Sequence, residues 1–227
     1  MDPTPLKGKC AIVTGGSRGI GQGVAIELAK RGATVLITYA TSVESANKTV
    51  SSIRDAGGKA HAVQADSSQA QDSAKKVVSA ALEFFGGHID IIVNNAGFPE
   101  PRPFDTVDTA FFDQMMHTNV LFPMLLFSAS LPYLRKGVRI VNVSSIAARG
   151  PSAVTPTYAA SKAALESVTR SMAAAVGRSL DGTANAVNPG PVATDMWHNT
   201  DLPDKPGVMK RIGAMTAAGD RIAEFDS

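Results

Sequence analysis

A tyrosine and a lysine that could move a proton lie four residues apart in the segment YAASK, at Tyr158 and Lys162. In a helix this spacing puts both side chains on one face, one turn apart. An ammonium group next to a phenol favours the phenolate, and so lowers the tyrosine pKa from about 10 toward the range of a general acid or base. The same spacing also occurs on ordinary solvated helix faces, so the pair needs support from other residues.

Two serines upstream supply part of that support. Ser144 and Ser145 end the apolar segment VRIVNVSS, and Thr155 and Pro156 predict that a helix begins just before Tyr158. This order brings a serine hydroxyl near the tyrosine, where a neutral hydroxyl can donate to a substrate carbonyl while the phenol transfers a proton to it. A serine at a strand end is by itself more often a turn residue, so the inference depends on the combination.

The segment TGGSRGIG, residues 14–21, has the glycines that a nucleotide-binding turn needs. Gly15, Gly19 and Gly21 follow the spacing GxxxGxG rather than the GxGxxG of the Rossmann fingerprint. Glycine allows a tight turn, a close approach of the backbone to a pyrophosphate and close helix packing. The N-terminus of the following helix presents free N–H groups to phosphates. An ordinary glycine turn that binds nothing is the alternative.

The segment LITYATSVES indicates which dinucleotide would bind. About 20 residues after the glycine turn, an acidic residue is expected to hydrogen-bond the ribose 2′-hydroxyl of NAD. Thr41 and Ser42 stand at that place instead, and the first acid is Glu44. Hydroxyl groups and the guanidinium of Arg18 would bind a 2′-phosphate, which a carboxylate would repel. The sequence therefore predicts NADP(H) rather than NAD(H).

Short apolar runs and the helical segments between them must position these residues. The runs are continuous rather than alternating, as strands buried on both faces of a parallel sheet require. They cover residues 10–15, 34–39, 60–66, 89–95, 138–145 and 183–190. Helices are predicted for residues 74–86 and 158–180, and for 108–134 with a break at Pro123. This alternation indicates one α/β domain over residues 1–227, a doubly wound Rossmann-type parallel sheet flanked by helices.

Composition and charge exclude several classes of protein. The chain is 44% hydrophobic, and 22 basic against 20 acidic residues leave a formal charge of +2. That charge is too small for a nucleic-acid-binding surface or a polybasic membrane anchor. The N-terminal segment MDPTPLKGK lacks the apolar core of a secretory signal and no apolar run is long enough to span a bilayer; since the single Cys10 cannot form an internal disulfide, we expect a cytoplasmic location. The four histidines show no metal-ligand spacing, so we predict no metal site.

Together these motifs resemble the short-chain dehydrogenase/reductase family, in its classical subfamily. The match runs over nearly the whole chain and includes TGGSRGIG, Asp66, NNAG at residues 94–97, Asn119, Ser145, YAASK and NPGPVATD. The resemblance implies an NADPH-dependent reduction of a ketone to a secondary alcohol, with Tyr158 as proton donor. It also implies that Ser145 polarises the carbonyl, that Lys162 binds the nicotinamide ribose and lowers the tyrosine pKa, and that Asn119 holds a water in the proton relay.

The resemblance further assigns the residues around the cofactor. They are Gly15, Ser17, Arg18, Gly19 and Ile20 at the pyrophosphate and adenosine end, Thr41 and Ser42 at the 2′-phosphate, Asp66 and Ser67 at adenine, Asn94, Ala96 and Gly97 along the adenosine ribose, and Pro189, Gly190, Val192 and Thr194 around the nicotinamide, next to Tyr158 and Lys162. Two assignments have simpler alternatives: Asp66 could cap the next helix, and Asn119 could be a buried polar residue satisfied by backbone groups.

The residues expected at the substrate pocket are apolar. They comprise the segment from Phe98 to Phe104, residues 147–155 and the stretch around Met196 and Trp197. This character favours a small hydrophobic carbonyl compound, such as an aromatic, polyketide-like or acyl substrate. The family resemblance also implies a homo-oligomer, either a dimer or a tetramer.

The end of the chain departs from the family pattern. Members continue through a helix to a last strand near a DGG, whereas KRIGAMTAAGDRIAEFDS resembles only the start of that region. We therefore expect the usual last strand to be missing, and residues 195–227 to form a substrate-loop region and a short C-terminus. A naturally shortened protein and a sequence that lacks its end both agree with this pattern. A non-catalytic NADP-binding or regulatory protein is the alternative function.

Overall fold

One parallel sheet forms the centre of the molecule. The computed structural model describes residues 4–194, 198, 204–215 and 223. Its strands are β1 Cys10–Val13, β2 Thr34–Tyr39, β3 Lys59–Gln64, β4 Ile89–Asn94, β5 Leu134–Val143 and β6 Thr183–Val187. They are hydrogen-bonded in the order β3-β2-β1-β4-β5-β6, and every neighbouring pair is parallel. The predicted α/β fold with a doubly wound parallel sheet is confirmed.

Helices cover both faces of this sheet. They are α1 Gly19–Lys30, α2 Val43–Asp55, α3 Ala70–Phe85, α4 Thr109–Met116, α5 Phe122–Ser130, α6 Pro156–Leu180 and α7 Lys205–Met215. One hydrophobic cluster joins the strands to α1 and α2, and a second joins them to α3, α5 and α6. Along β1, Cys10 and Ile12 belong to the second cluster and Ala11 and Val13 to the first, because successive strand side chains point to opposite faces. This burial on both faces explains the continuous apolar runs.

The segment that was predicted to break at Pro123 has a different irregularity. A π-helical turn, His117–Leu121, follows α4 and leads directly into α5. The backbone keeps right-handed helical angles at Met116 and Phe122, on either side of this turn. Pro123 stands in the first turn of α5, where a missing N–H is tolerated. The prediction of a break at Pro123 is therefore wrong, and the chain instead inserts a π turn, a feature frequent at functional sites.

The sheet ends at β6 as far as the structure describes it. Beyond this strand, Val192 and Ala223 form an isolated parallel bridge. The rest of residues 216–227 and the stretch around Met196 and Trp197 lie outside the described residues, so the expectations for a last strand and for that part of the substrate pocket stay predictions. Among the helices that are described, none has the length and apolarity needed to cross a membrane.

Candidate active site

The predicted catalytic hydroxyls meet at the carboxyl edge of the sheet. Ser145 follows the end of β5, and Tyr158 lies in the first turn of α6, which begins after Thr155 at the N-cap position. The Ser145 side chain lies close enough to Tyr158 to lower the pKa of the phenol, and Ser145 Oγ accepts a hydrogen bond from the N–H of Ala147 at 3.1 Å. Both hydroxyls can therefore reach one substrate oxygen.

Lys162 lies one helical turn after Tyr158 and is only 3% exposed. Its Nζ donates to the backbone carbonyl of Val143 at 2.8 Å and lies 5.7 Å from the centre of the Tyr158 ring. Burial lowers the pKa of this lysine from 10.5 to about 8, because the ammonium form loses hydration in the protein interior. The charged form still predominates at pH 7.

The pKa of Tyr158 moves in the direction opposite to the sequence-based expectation. Burial raises it, and the hydrogen bond with Ser145 offsets this rise only in part. The Lys162 ammonium is held by the Val143 carbonyl. Lys162 is not among the causes of this shift, so its predicted lowering of the tyrosine pKa stays a prediction. A phenol that keeps its proton at neutral pH suits the role of proton donor.

Asn119 lies in the π turn and links the neighbouring segments through its side chain. Its Oδ1 accepts from the Phe98 N–H at 2.8 Å, while Nδ2 donates to the Phe98 carbonyl at 3.2 Å and to Ser161 Oγ at 3.0 Å. Ser161 Oγ in turn donates to the Tyr158 carbonyl at 2.7 Å. The side chain is thus satisfied by protein groups. Its predicted role of holding a water in a proton relay stays a prediction.

The glycine turn after β1 leaves no room for a side chain at Gly15 or Gly21. Gly15 and Gly19 have φ angles of +62° and +55°, which favour glycine. A Cβ at Gly21 would lie 2.3 Å from the Gly15 carbonyl oxygen, and a Cβ at Gly15 would lie 3.0 Å from Cα of Ala96. We call this turn, residues 14–21, the glycine cradle. Its open backbone at the N-terminus of α1 fits a pyrophosphate.

The two asparagines of NNAG have different roles. Asn94 is buried, and its Nδ2 donates to Asn142 Oδ1 at 2.7 Å, so its side chain points into the protein and only its backbone is available for the predicted ribose contact. Asn95 was not singled out from the sequence, although the repeated asparagine was a usable signal. Its Nδ2 donates to the carbonyls of Thr14 and Gly15 at 3.0 and 3.1 Å, which braces the glycine cradle.

A cleft of about 420 Å³ opens beside the glycine cradle. Its lining includes most of the predicted cofactor residues: Gly15, Ser17, Arg18, Gly19, Ile20, Thr41, Ser42, Asp66, Ser67, Ala96, Gly97 and Thr194. Residues that were not predicted to contact the cofactor also line it, among them Tyr39, Asn95, Phe98, Gln114 and Thr118. The cleft reaches the catalytic residues at Gly97, where a Cβ would lie 3.5 Å from Lys162 Nζ.

The other residues predicted around the nicotinamide lie beside this cleft. The Pro189 carbonyl accepts a hydrogen bond from the Ile146 N–H at 3.1 Å, which holds the NPG segment against the turn that follows β5. A Cβ at Gly190 would lie 3.8 Å from Ile146 Cδ1. Thr194 Oγ1 donates to the Val192 carbonyl at 3.2 Å. The segment that carries these four predicted residues therefore runs past the turn after Ser145.

Arg18 and Asp66, at the adenosine end of the cleft, differ in their partners. Arg18 is exposed at the N-cap of α1, and within the described part of the chain its guanidinium has no hydrogen bond or ion pair. Asp66 Oδ1 accepts from the N–H and the hydroxyl of Ser68, at 2.9 and 2.8 Å, and so closes a turn. The N-cap of α3 is Gln69, so Asp66 shapes the turn before that helix without capping it.

A cluster of Cys10, His88 and Asp90 lies at the opposite, amino edge of the sheet. Their ligand atoms lie within 4.8 Å of one another, a proximity that the sequence spacing did not reveal. Lys9 Nζ lies 3.2 Å from the Asp90 carboxylate and Arg135 Nε 3.8 Å, so two cations already neutralise it. Burial and the Asp90 charge raise the pKa of the Cys10 thiol, which disfavours the thiolate that a metal requires. We therefore assign no ion to this cluster.

Comparison with known proteins points to one family along most of the chain. A family model described as short chain dehydrogenase matches residues 9–205. The chain is 47% identical to the short-chain dehydrogenase/reductase FrzI of Cladobotryum sp over 88% of this chain and 79% of the relative. It is 37% identical to the hydroxynaphthalene reductase arp2 of Aspergillus fumigatus over 91% of this chain and 74% of the relative.

Solved structures show the same likeness in three dimensions. A crystal structure of a short chain dehydrogenase from Burkholderia cenocepacia in complex with NADP has a TM-score of 0.87 and 38% identity, and the match covers 96% of this chain and 86% of that one. The family match extends over the sheet, the glycine cradle and the catalytic residues. The chain therefore belongs to the short-chain dehydrogenase/reductase family, oxidoreductases that bind a nicotinamide cofactor.

Proposed function

We propose that this protein is an NADPH-dependent reductase that converts a ketone to a secondary alcohol. The proposal rests on the arrangement of Ser145, Tyr158 and Lys162. The Ser145 side chain lies next to Tyr158, the lysine follows one turn later, and Gly97 connects the three to the cleft at the glycine cradle. A protein that only binds a dinucleotide has no need of such a proton-transfer set.

Each catalytic side chain has a distinct part in the reduction. Bound NADPH supplies the hydride. Ser145 donates a hydrogen bond to the substrate carbonyl oxygen and stabilises the negative charge that develops there. Tyr158 transfers its phenolic proton to the same oxygen, and its raised pKa keeps that proton in place at neutral pH. Lys162, with a pKa of about 8, carries the charge that would stabilise the resulting phenolate, and it would hydrogen-bond the nicotinamide ribose of a bound cofactor.

The residues at the other end of the cleft fit the 2′-phosphate of NADP(H). The glycine cradle excludes side chains where a pyrophosphate needs backbone N–H groups. Arg18 lines the cleft with a guanidinium that has no partner among the described residues, and Thr41 and Ser42 line it where an NAD-binding protein would carry an acid. The related Burkholderia cenocepacia protein was solved with NADP, which supports the same choice here.

We propose a hydrophobic, aromatic ketone as the substrate class. Phe98 lines the cleft directly after Gly97, and its ring packs against Phe111 with the ring centres 5.9 Å apart. An aromatic surface at this place favours stacking with a flat substrate. The relative from Aspergillus fumigatus is named for the reduction of a hydroxynaphthalene, a flat bicyclic aromatic compound.

The substitution Tyr158→Phe tests the catalytic assignment. It removes the transferable proton and keeps the ring, so we expect kcat to fall by about 10²- to 10⁴-fold, the usual contribution of general acid catalysis. NADPH binding, measured by fluorescence titration, should stay intact. The substrates are a panel of bicyclic aromatic ketones, aliphatic ketones and ketoacyl thioesters, with NADPH consumption as the signal. Unchanged turnover in the variant would refute the assignment. A wild-type protein that binds NADPH and reduces none of these compounds would favour the non-catalytic alternative.

The proposal includes a homo-oligomer in the cytoplasm. Phe112, Met124, Leu131 and Tyr133 expose between 40 and 45% of their surface along the segments from α4 to the turn after α5. A second copy of the chain would cover such apolar side chains. The proposed location has a separate basis: a lone cysteine without a disulfide partner suits a reducing compartment such as the cytoplasm. Light scattering on the purified protein checks the oligomer, and a monomeric mass would contradict it.

A further inference from the structure

A third polar side chain continues the row of Tyr158 and Lys162 along α6. Glu166 follows Lys162 by four residues, so all three lie on one face of the helix. The residue is only 7% exposed, and a carboxylate in such a position is costly unless it is paired and hydrogen-bonded. Neither the catalytic set nor the cofactor set described above includes it.

The Glu166 carboxylate joins three chain segments that meet at the active site. Ser144 Oγ, at the end of β5, donates to Oε1 at 3.2 Å. Arg149 Nε, at the end of the short 3₁₀ turn Ile146–Arg149, lies 2.9 Å from Oε2. Asn188 Nδ2, just after β6, donates to Oε1. These donors outweigh the rise that burial alone would cause and keep the pKa of Glu166 below its usual value, so the group is a carboxylate at neutral pH.

Each of these contacts bears on the backbone of Ser145. Ser144 precedes it, and the Arg149 segment follows it directly. The Asn188 Nδ2 that bonds to Glu166 also donates to the Ser145 carbonyl at 2.9 Å. Ser144 Oγ further lies 3.3 Å from the Lys162 carbonyl. The carboxylate is therefore bonded to residues on both sides of the catalytic serine, on the helix that carries the catalytic tyrosine and lysine.

We propose that Glu166 is a positioning residue: through Ser144, Arg149 and Asn188 it holds the Ser145 hydroxyl where it can share a substrate oxygen with Tyr158. This inference rests on the proposed reductase function. A competing explanation is that Glu166 only fastens α6 to the sheet and contributes to stability. The two differ in one respect: a positioning residue acts through Ser145, whereas an anchor acts regardless of which residue stands at 145.

A double-mutant cycle between Glu166→Gln and Ser145→Ala separates these explanations. Glutamine keeps the shape of the side chain and removes the charge that pairs with Arg149. Since misplacement of a reacting group by about 1 Å can cost about 10²-fold in rate, we expect Glu166→Gln to lower kcat by about 10- to 100-fold in the wild-type background and by less than about threefold when Ser145 is already alanine. The Kd for NADPH should be unchanged, and kcat and kcat/KM should fall together.

An equal loss of kcat in both backgrounds would overturn the proposal, because the effect would then not pass through Ser145. The matched control is Glu27→Gln, which breaks an exposed ion pair with Arg31 on α1 and should leave kcat unchanged. If Glu166→Gln does not fold, Arg149→Met takes its place in the same cycle. The Arg149 side chain is 70% exposed, and its substitution removes one partner of the Glu166 carboxylate. Additive effects of Arg149→Met and Ser145→Ala would equally overturn the proposal.

A second readout does not depend on turnover. The Ala147 N–H donates to Ser145 Oγ, so displacement of the serine should speed hydrogen exchange in the peptide that contains residues 144–150, with the peptides of α1 and β2 unchanged. Unchanged exchange in Glu166→Gln would contradict the proposed contact with Ser145. If the wild-type protein reduces no carbonyl compound, the reductase function fails, and the exchange measurement then shows only whether Glu166 orders the segment that carries Ser145.

Discussion

Lys162 should make the ligand-free protein more stable as the pH rises from 7.5 to 10. Its pKa is 10.5 in a solvated chain and about 8 in the folded protein, because burial penalises the ammonium form. Between these two values the unfolded chain therefore binds more protons than the folded one, and the free energy of unfolding increases with pH. The substitution that isolates this effect is Lys162→Met, which keeps an unbranched side chain of similar length and removes the charge.

The size of the effect follows from the two pKa values. A fall from 10.5 to about 8 corresponds to a cost of about 3 kcal/mol while the group is charged in both states. At pH 10 most of this cost has disappeared, because the folded protein has released the proton. Wild type should thus gain about 2 kcal/mol relative to Lys162→Met between pH 7.5 and pH 10. Comparison with the variant removes the contributions of the other titrating groups, which both proteins share.

Urea unfolding at a series of pH values measures this difference. Lys162→Arg is the matched control, since a guanidinium stays charged over the whole range, and its stability relative to Lys162→Met should not rise. A gain by wild type of less than about 0.5 kcal/mol would show that the ammonium is hydrated or paired in the folded protein. The attribution of the low pKa to burial would then be refuted.

Two further substitutions test the glycine cradle and its arginine. Arg18→Ala should weaken NADPH binding by about tenfold or more, since a charge-assisted hydrogen bond contributes about 1.5–3 kcal/mol, whereas NADH binding should change little; equal losses in fluorescence titrations of both cofactors would contradict a 2′-phosphate contact. Gly21→Ala should abolish NADPH binding and cost about 1–3 kcal/mol in urea unfolding, because the new Cβ would lie 2.3 Å from the Gly15 carbonyl oxygen. Gly177→Ala, where nothing lies within 4 Å, is its control and should bind NADPH normally.

The sheet and the glycine cradle could be predicted from the sequence because local physics determines both. Strands buried on two faces need continuous apolar runs, and six such runs correspond to β1–β6. Positive φ angles at Gly15 and Gly19 favour glycine, so the spacing of glycines carries the geometry of the turn. Pro123 shows the limit of this reasoning. Its tolerated place in the first turn of α5 depends on the π turn before it, which no residue type indicates.

The roles of individual side chains were harder to predict because they depend on partners that are distant in sequence. Asn94 and Asn95 are identical and adjacent, yet one faces Asn142 inside the protein and the other braces the glycine cradle. The Tyr158 pKa follows from burial, which the spacing to Lys162 does not reveal. Glu166 was passed over because a glutamate on a helix is normally a solvated residue, and only the fold shows that Ser144, Arg149 and Asn188 surround it.

Buried polar residues on α6 also explain how this protein can keep a charged lysine in its interior. At pH 7 the Lys162 ammonium costs about 3 kcal/mol, a large fraction of the stability of a typical domain. The same face of α6 offers compensation: Thr169 accepts a hydrogen bond from Asn142 at 2.7 Å, and Glu166 accepts from three donors. A residue that destabilises the fold at the working pH persists when function needs it. Replacing Lys162 by methionine should therefore stabilise the protein at neutral pH and remove its activity, and a variant that gained stability without losing turnover would show that the charge serves neither the cofactor nor the tyrosine.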